Sequence, residues 1–368
     1  MSDEMIDWGL AVSTGTRLVR PGPQVSRDEA RQAVTELRAL SGEAEHHVKA
    51  FTGMGEPTRH SPAAIVDRPG WIKANVDGFR VVLDPVVQRM SRQATQSFGG
   101  TLVTAVGSRV TGLQVGTVLA YLAGRVLGQY ELFLPPDPDG TQPVGRLTLV
   151  APNVVQVERD LDVDPHDFRL WVCLHEVTHR TQFESVPWLR DHMQEEITAF
   201  LLASNIGPSE LLDRLAAAAG AVVDAVRGGD ANLLEAVQTD EQREILDRLT
   251  AVMSLVEGHG DYVMDGVGPG VVPTVAEIRE KFRRRRAGGS AFDQAFRRLL
   301  GIDLKMKQYE QGSAFVRAVV DEVGMDGFNK VWTSPNTLPT KTEIADPAAW
   351  VARVARPPQL PPTPPIAP

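Results

Sequence analysis

The segment His-Glu-Val-Thr-His at residues 175–179 is the feature that most constrains how this chain can fold. On an α-helix, residues four apart lie about 40° apart around the axis, so His175 and His179 can reach one metal ion from the same face. Glu176 lies beside them, where its carboxylate can contact a water molecule on the metal without being a ligand. The motif therefore predicts a helix that carries a zinc-activated water, with Glu176 as the general base.

The residues around this motif predict where its helix begins. Asp164 is a candidate N-cap, Pro165 suits the first helical position, and Asp167 places negative charge in the first turn. Apolar and polar residues then recur at helical spacing from 168 to 183, so the motif lies on one mixed stripe. Residues 146–151 alternate like a β-strand, and we expect them to form a wall of a cleft.

A catalytic zinc site usually needs a third protein ligand besides two histidines. The metzincin pattern has a histidine six residues after the second one, but Ser185 occupies that position here. The remaining candidates, in order of preference, are Glu257, then His259, then Glu195 or Glu196, with His192 as a further possibility.

The preference for Glu257 rests on the periodicity of the segment that contains it. Apolar residues recur at helical spacing from about residue 244, and a continuing helix would place Glu257 on one stripe with Met253 and Met264. A carboxylate among apolar neighbours is costly unless it is paired, and a metal ion would remove that cost. Asp261 lies one helical turn further on, so the pair resembles the gluzincin arrangement, in which the glutamate ligates zinc and the aspartate orients a ligand histidine.

Two glycines complicate this interpretation. Gly258 and Gly260 both disfavour a helix interior. The phase of the helix is therefore open, and His259 could instead turn into the site as a ligand or as a donor to the reacting oxygen.

The motif in its setting resembles a known family. Residues 170–179, followed by Gln182-Phe183 and by residues 186–190, are similar to the zincin-like metallopeptidase family found mainly in actinobacteria and related bacteria. Members are often labelled hydrolases without a known substrate, and one branch is labelled as associated with deazaflavin coenzyme biosynthesis. Further segments with this resemblance are Arg125–Tyr130, Glu257–His259, Lys305–Tyr309, Val331-Trp332 and Leu338-Pro339. They span residues from about 125 to 350.

The resemblance implies a zincin-like fold with zinc bound through His175 and His179 and with Glu176 as the base. It brings no substrate with it. Tyr309 lies in one of the matched segments, and a phenol near a metal cleft can donate to a developing oxyanion. Packing is the more common role of a tyrosine.

Composition and charge limit the partners and the compartment. A net charge of −9 and a pI near 5.5 argue against a nucleic-acid partner held by phosphate contacts. The single cysteine, Cys173, excludes an internal disulfide and fits a reducing cytoplasm. It points about 200° away from His175 on a helix, so we expect a buried core thiol. The N-terminus lacks the pattern of an export signal, and the most apolar stretch, 110–127, is too interrupted for a membrane span.

These observations predict a mainly α fold with a small β element, a zincin-like metalloprotease architecture and an active-site cleft between two lobes. The proline-rich turn at 135–140 marks the predicted boundary. Residues 1–140 would form an N-terminal mainly helical lobe, residues 141–356 the metal-binding catalytic region, and residues 357–368 a proline-rich extended tail. A capping box at Ser26–Glu29 opens a predicted helix, and residues 62–90 are predicted helical with a break near 69–70.

The predicted function is that of a cytoplasmic zinc-dependent hydrolase, in the first place a metallopeptidase. Its partner would be a peptide or small-molecule amide substrate, with no nucleic acid and no membrane. One alternative is a zinc hydrolase of a non-peptide small-molecule amide, and another is a non-catalytic binding protein that contains zinc. The acidic residue beside the ligands favours catalysis, because a structural zinc site has no need of a base.

Overall fold

The computed structural model describes residues 6–55, 62–94, 101–203, 240–287 and 302–356. Most of them are helical, which confirms the predicted mainly α class with a small β element. The long helices are α1 (Trp8–Leu18), α2 (Arg27–Thr52), α3 (Arg68–Ala94), α4 (Thr101–Ala123), α5 (Ala151–Leu161), α6 (Pro165–Ser185), α7 (Pro187–Leu202), α8 (Asp240–Gly266), α9 (Val275–Ala287) and α10 (Ile302–Phe328). The short helices α11 (Lys341–Ala345) and α12 (Pro347–Trp350) follow. The predicted tail at 357–368 lies outside the described residues.

Three short strands form one sheet: β1 (Ala64–Val66), β2 (Gly128–Glu131) and β3 (Arg146–Val150). The strand order is β1-β3-β2, with β1 parallel and β2 antiparallel to β3. The strand predicted at 146–151 is therefore confirmed over Arg146–Val150, while Ala151 already begins helix α5. The sheet joins strands from both sides of residue 140, while the division into lobes stays a prediction.

The prediction that a helix begins at residue 62 was wrong. Residues 64–66 pair with β3 as a strand, and the helix begins only at Arg68. Pro69 and Gly70 lie in its first turn and do not break it, because the first turn leaves backbone N–H groups without helical partners and so tolerates proline.

Helix α6 carries the histidine motif and lies in the centre of the molecule. The side chain of Asp164 accepts a hydrogen bond from the backbone N–H of Asp167 at 2.9 Å, and Pro165 occupies the first turn, as predicted. The helix packs between α2 and α8 and against β2. Cys173 is fully buried in this core, and burial raises the pKa of its thiol, so the predicted core thiol is confirmed.

Polar groups also fix α6 to its neighbours. Arg169 donates two hydrogen bonds to Glu158 of α5, at 2.9 and 2.5 Å, and one to Glu36 of α2 at 2.5 Å. Arg180, which directly follows the motif's second histidine, pairs with Glu45 of α2. Two-pronged arginine contacts restrict geometry as well as charge, so they hold the motif helix in one orientation.

Helix α8 continues without interruption through the glycines that made its phase uncertain. Any Cβ at Gly258 would collide with the backbone of Gly312 in α10, and a Cβ at Gly312 would collide with the carbonyl of Ser254 in α8. The two helices therefore cross backbone to backbone, and the glycines are needed for that approach.

In the described part of the chain, no helix is long and apolar enough to cross a membrane.

Candidate metal centre

The two motif histidines and Glu257 converge on one point. The Nε2 atoms of His175 and His179 lie 3.1 Å apart, and Oε2 of Glu257 lies 3.6 and 3.7 Å from them. A tetrahedral zinc ion with ligand bonds of 2.0–2.1 Å needs ligand atoms about 3.4 Å apart. The observed separations match that requirement, and two nitrogens with one carboxylate oxygen are a donor set that suits zinc.

The other candidates for the third ligand lie elsewhere. Glu196 pairs with Arg248 at 2.9 Å, and Glu195 is exposed. The ring of His192 packs edge-on against Trp188.

His259 faces away from the histidine pair. Its ring is fully buried against Phe328 and Trp332, with ring centroids 5.2 and 5.6 Å away. Its Nδ1 lies 2.9 Å from the amide of Gln182. The side chain of Tyr309 lies outside the described residues.

Asp261 lies on the far side of His175 from the converging atoms. Its Oδ1 is 3.7 Å from Nδ1 of His175, beyond hydrogen-bond distance. That nitrogen is buried and has no hydrogen-bond partner in the part of the chain that the structure describes. Among the described residues, Asp261 is the carboxylate nearest to this nitrogen, and its chemistry suits it to orient the ring.

The charges at the site attract a cation. Burial raises the pKa of Glu176 to about 7, partly offset by His175 and reinforced by Glu257. Burial alone would lower the pKa of His175, but Glu257, Glu176 and Asp261 outweigh it and raise that pKa to about 9. Burial lowers the pKa of His179. Three carboxyl groups around two imidazoles thus favour a cation at this point.

Gly128, at the start of β2, lies directly against the side chain of Glu176. A Cβ at this position would be 2.6 Å from Cγ and 2.9 Å from Oε1 of the glutamate. Only glycine lets the strand backbone come so close to this carboxyl group. Sequence reasoning gave Gly128 no role, although it lies in one of the segments that carry the family resemblance.

Gly260 on α8 leaves space for the rings of His175 and His179, as Gly128 does for Glu176. A Cβ there would lie 3.2 Å from ring atoms of both His175 and His179, tighter than ordinary van der Waals contact. The glycine that seemed only to weaken the helix therefore allows α8 to bring Glu257 close to the histidine pair.

We expect Gly260→Ala to weaken zinc binding. The added methyl group overpacks the two rings, and overpacking typically costs about 1–3 kcal/mol, which corresponds to roughly 5–150-fold in affinity. Gly42→Ala is the matched control, because Gly42 is also helical but a Cβ there meets nothing within 4 Å. Zinc affinity should be measured by competition with a chelator. Equal affinities in the two variants would show that the rings have room to move.

A cavity of about 1340 Å³ opens from this centre. Its walls come from α6, α8 and β2 and extend to the end of α4 and the chain after α1. The carboxyl groups in its described lining, Glu176, Glu257 and Asp261, all belong to the metal centre. The cationic side chains in that lining are Arg20, Arg68, Arg125 and Arg285, and most of the remainder is apolar.

An HExxH helix faced by a glutamate from a second helix, in a mainly α fold, defines the class of zincin-type proteins. Residues 6–351 match the zincin-like metallopeptidase family, and the chain belongs to that family. It is also similar to a crystal structure from Chloroflexus aurantiacus, provisionally described as a hydrolase with a novel fold. The identity is 30%, the TM-score is 0.65, and the match covers 95% of this chain and 98% of the other. No curated protein matches the chain. Family and neighbour together indicate a hydrolase that uses a divalent metal, typically zinc.

Proposed function

We propose that this protein is a zinc-dependent hydrolase, in the first place a metallopeptidase. His175, His179 and Glu257 are the proposed ligands, and Glu176 is the proposed general base. The observation that carries the proposal is the convergence of three ligand atoms within 4.8 Å, with a buried carboxyl group next to them that is not part of the cluster. A purely structural zinc site would leave that buried carboxyl group without a purpose.

Zinc held at this centre would polarise a carbonyl group and lower the pKa of a water molecule. Glu176 then accepts the proton of the attacking water and returns it to the leaving amine. Burial raises the pKa of the Glu176 carboxyl group above its usual value, which makes it a stronger proton acceptor than an exposed carboxylate. Asp261, whose Oδ1 lies 3.7 Å from Nδ1 of His175, is the proposed group for orienting this ring once the two draw together around a bound metal.

The cavity lining favours a substrate with an apolar body and an anionic group. Arginines line the cavity beyond the metal centre in a chain whose net charge is −9. Arg125 is stacked 3.5 Å above the ring of Tyr121, and only two residues separate it from Gly128, which lies against Glu176. Three residues of extended chain span at most about 11 Å, so a carboxylate a residue or two from the scissile bond is within reach of this arginine. A peptide with a free C-terminal carboxylate fits this pattern, as does a smaller anionic amide.

The third ligand can be tested by two substitutions on α8. Glu257→Ala should weaken zinc binding, because it removes one of the three converging atoms. His259→Ala should retain most zinc, because that ring faces Gln182 and the aromatic residues. Metal analysis after gel filtration, and anomalous scattering at the zinc edge, would distinguish them. The reverse pattern would make His259 the ligand.

The reaction itself is tested with a peptide library that includes free and amidated C-termini. The zinc-loaded protein should cleave members of the library, and the metal-depleted protein should not. Cleavage of small anionic amides but of no peptide would favour the second substrate class. A zinc-loaded protein inactive on both would favour the binding-protein alternative.

A further inference from the structure

Gln182 connects the two helices of the metal centre through a single side-chain amide. It lies on α6 three residues after His179, is fully buried, and contacts α8 at Val256 and His259. We propose that Gln182 is a positioning residue: it holds His179 in the tautomer that presents Nε2 to the metal, and it fixes that ring relative to the helix that carries Glu257. This inference rests on the proposed zinc site.

The orientation of the Gln182 amide follows from its partners. Its Nε2 lies 2.9 Å from the carbonyl oxygen of Val256, which can only accept a hydrogen bond, so the nitrogen must be on that side. The amide oxygen therefore faces Nδ1 of His179 at 3.0 Å. An amide oxygen can only accept, so Nδ1 of His179 carries the hydrogen. The lone pair is left on Nε2, the atom that faces His175 and Glu257.

His259 also contacts the side-chain amide of Gln182. Its Nδ1 lies 2.9 Å from Nε2 of Gln182, and because that nitrogen only donates, Nδ1 of His259 must accept. The hydrogen of this imidazole is then on its Nε2, which is buried without a hydrogen-bond partner among the described residues. His259 thus provides a second acceptor for an amide whose orientation the Val256 carbonyl already fixes, and its aromatic neighbours keep the ring in place.

A side-chain amide can make both sets of contacts, and an ionised carboxylate of the same length cannot. The residue at 182 must accept from His179 and donate to Val256, which a carboxylate cannot do. A glutamate would face the Val256 carbonyl with a second acceptor, and it would add a fourth carboxyl group to Glu176, Glu257 and Asp261. The two proposed ligand histidines therefore differ in the group that faces Nδ1: the carboxylate of Asp261 lies near His175, and the neutral amide of Gln182 contacts His179.

The test is Gln182→Met, which keeps the length of the side chain and removes both hydrogen-bonding functions. Loss of a group that orients a metal ligand typically lowers affinity about 10–100-fold, and we expect that loss in zinc competition with a chromophoric chelator. Gln129→Met is the matched control. Its amide is also bonded at both ends, to Trp71 and Asn75, but it contacts neither histidine, so zinc affinity should stay at the wild-type value.

Two further measurements separate positioning from general destabilisation. The visible spectrum of the cobalt-substituted protein should change in Gln182→Met and not in Gln129→Met, because only the former frees a ligand ring. Gln182→Glu keeps the acceptor but not the donor, and we expect it to remain weaker than wild type. Wild-type affinity in Gln182→Glu would overturn the proposed two-sided role.

The outcomes also separate this inference from the proposed function. A wild-type protein that binds no zinc would refute the metal site itself. A wild type that binds zinc, together with a Gln182→Met variant of equal affinity and unchanged cobalt spectrum, would refute only the role of Gln182. Should Gln182→Met be too unstable to purify, Gln182→Asn gives the same comparison. Its amide is one methylene too short to bridge both helices, so the same loss of affinity is expected.

Discussion

Glu176→Gln should retain about one zinc ion per chain and lose hydrolysis by about 10²–10⁴-fold, the usual effect of removing a general base. Glu176 does not belong to the cluster of His175, His179 and Glu257, so the substituted glutamine should leave the metal site intact. Glutamine preserves the size of the residue under the Gly128 backbone while it removes the ability to accept a proton. Metal analysis and kcat/KM on a substrate from the library screen measure the two effects separately.

Glu184→Gln is the matched control for this substitution. Glu184 is a buried carboxyl group on the same helix, and burial likewise raises its pKa to about 7. Its carboxyl group lies 3.3 Å from the hydroxyl of Tyr130 and takes no part in the metal cluster. Activity in this variant should stay close to wild type. Full turnover by Glu176→Gln would refute the proposed mechanism and favour a non-catalytic zinc protein.

His175→Ala or His179→Ala should each abolish zinc retention through gel filtration. Among the described residues, His175 and His179 provide the two nitrogen atoms of the candidate cluster, so either change leaves Glu257 with a single imidazole. The loss should far exceed the roughly 10–100-fold expected for an orienting residue such as Gln182. Zinc content measured on the purified variants gives the result directly.

His166→Ala controls for the loss of a histidine from the same helix. His166 lies in the first turn of α6, is exposed, and contacts Glu36 at 2.9 Å, so zinc content should not change. Equal zinc content in all three histidine variants and wild type would rule out this metal site.

Much of the motif helix could be predicted because its signals are local. Asp164 and Pro165 set its start through contacts with the next few residues, and the four-residue spacing of the histidines follows from helix geometry alone. The preference for Glu257 also used local information, since the apolar period of α8 placed this residue on a stripe. The family match confirms the resemblance seen at the motif, while the roles of the individual residues stay predictions.

The roles of the glycines could not be read from the sequence. Helix propensity indicates only that Gly258 and Gly260 weaken a helix, and it predicts no role for Gly128. The structure shows each of them against a group distant in the chain: Gly258 against α10, Gly260 against the two imidazoles and Gly128 against Glu176. A missing Cβ has meaning only in relation to what occupies the space, and that neighbour is known only after folding.

The sequence alone determined which chemistry this chain can carry, because ligand type and helical spacing are properties of a short segment. Tertiary structure decided which distant carboxylate completes the cluster, since Glu257 and Glu196 are the same residue type and differ in the side chains that they contact. It also decided the orientation of the His179 ring, through an amide whose partners lie on another helix. Hydrogen bonds and close packing act over a few ångströms in space, whatever the separation along the chain, and so these features depend on the fold.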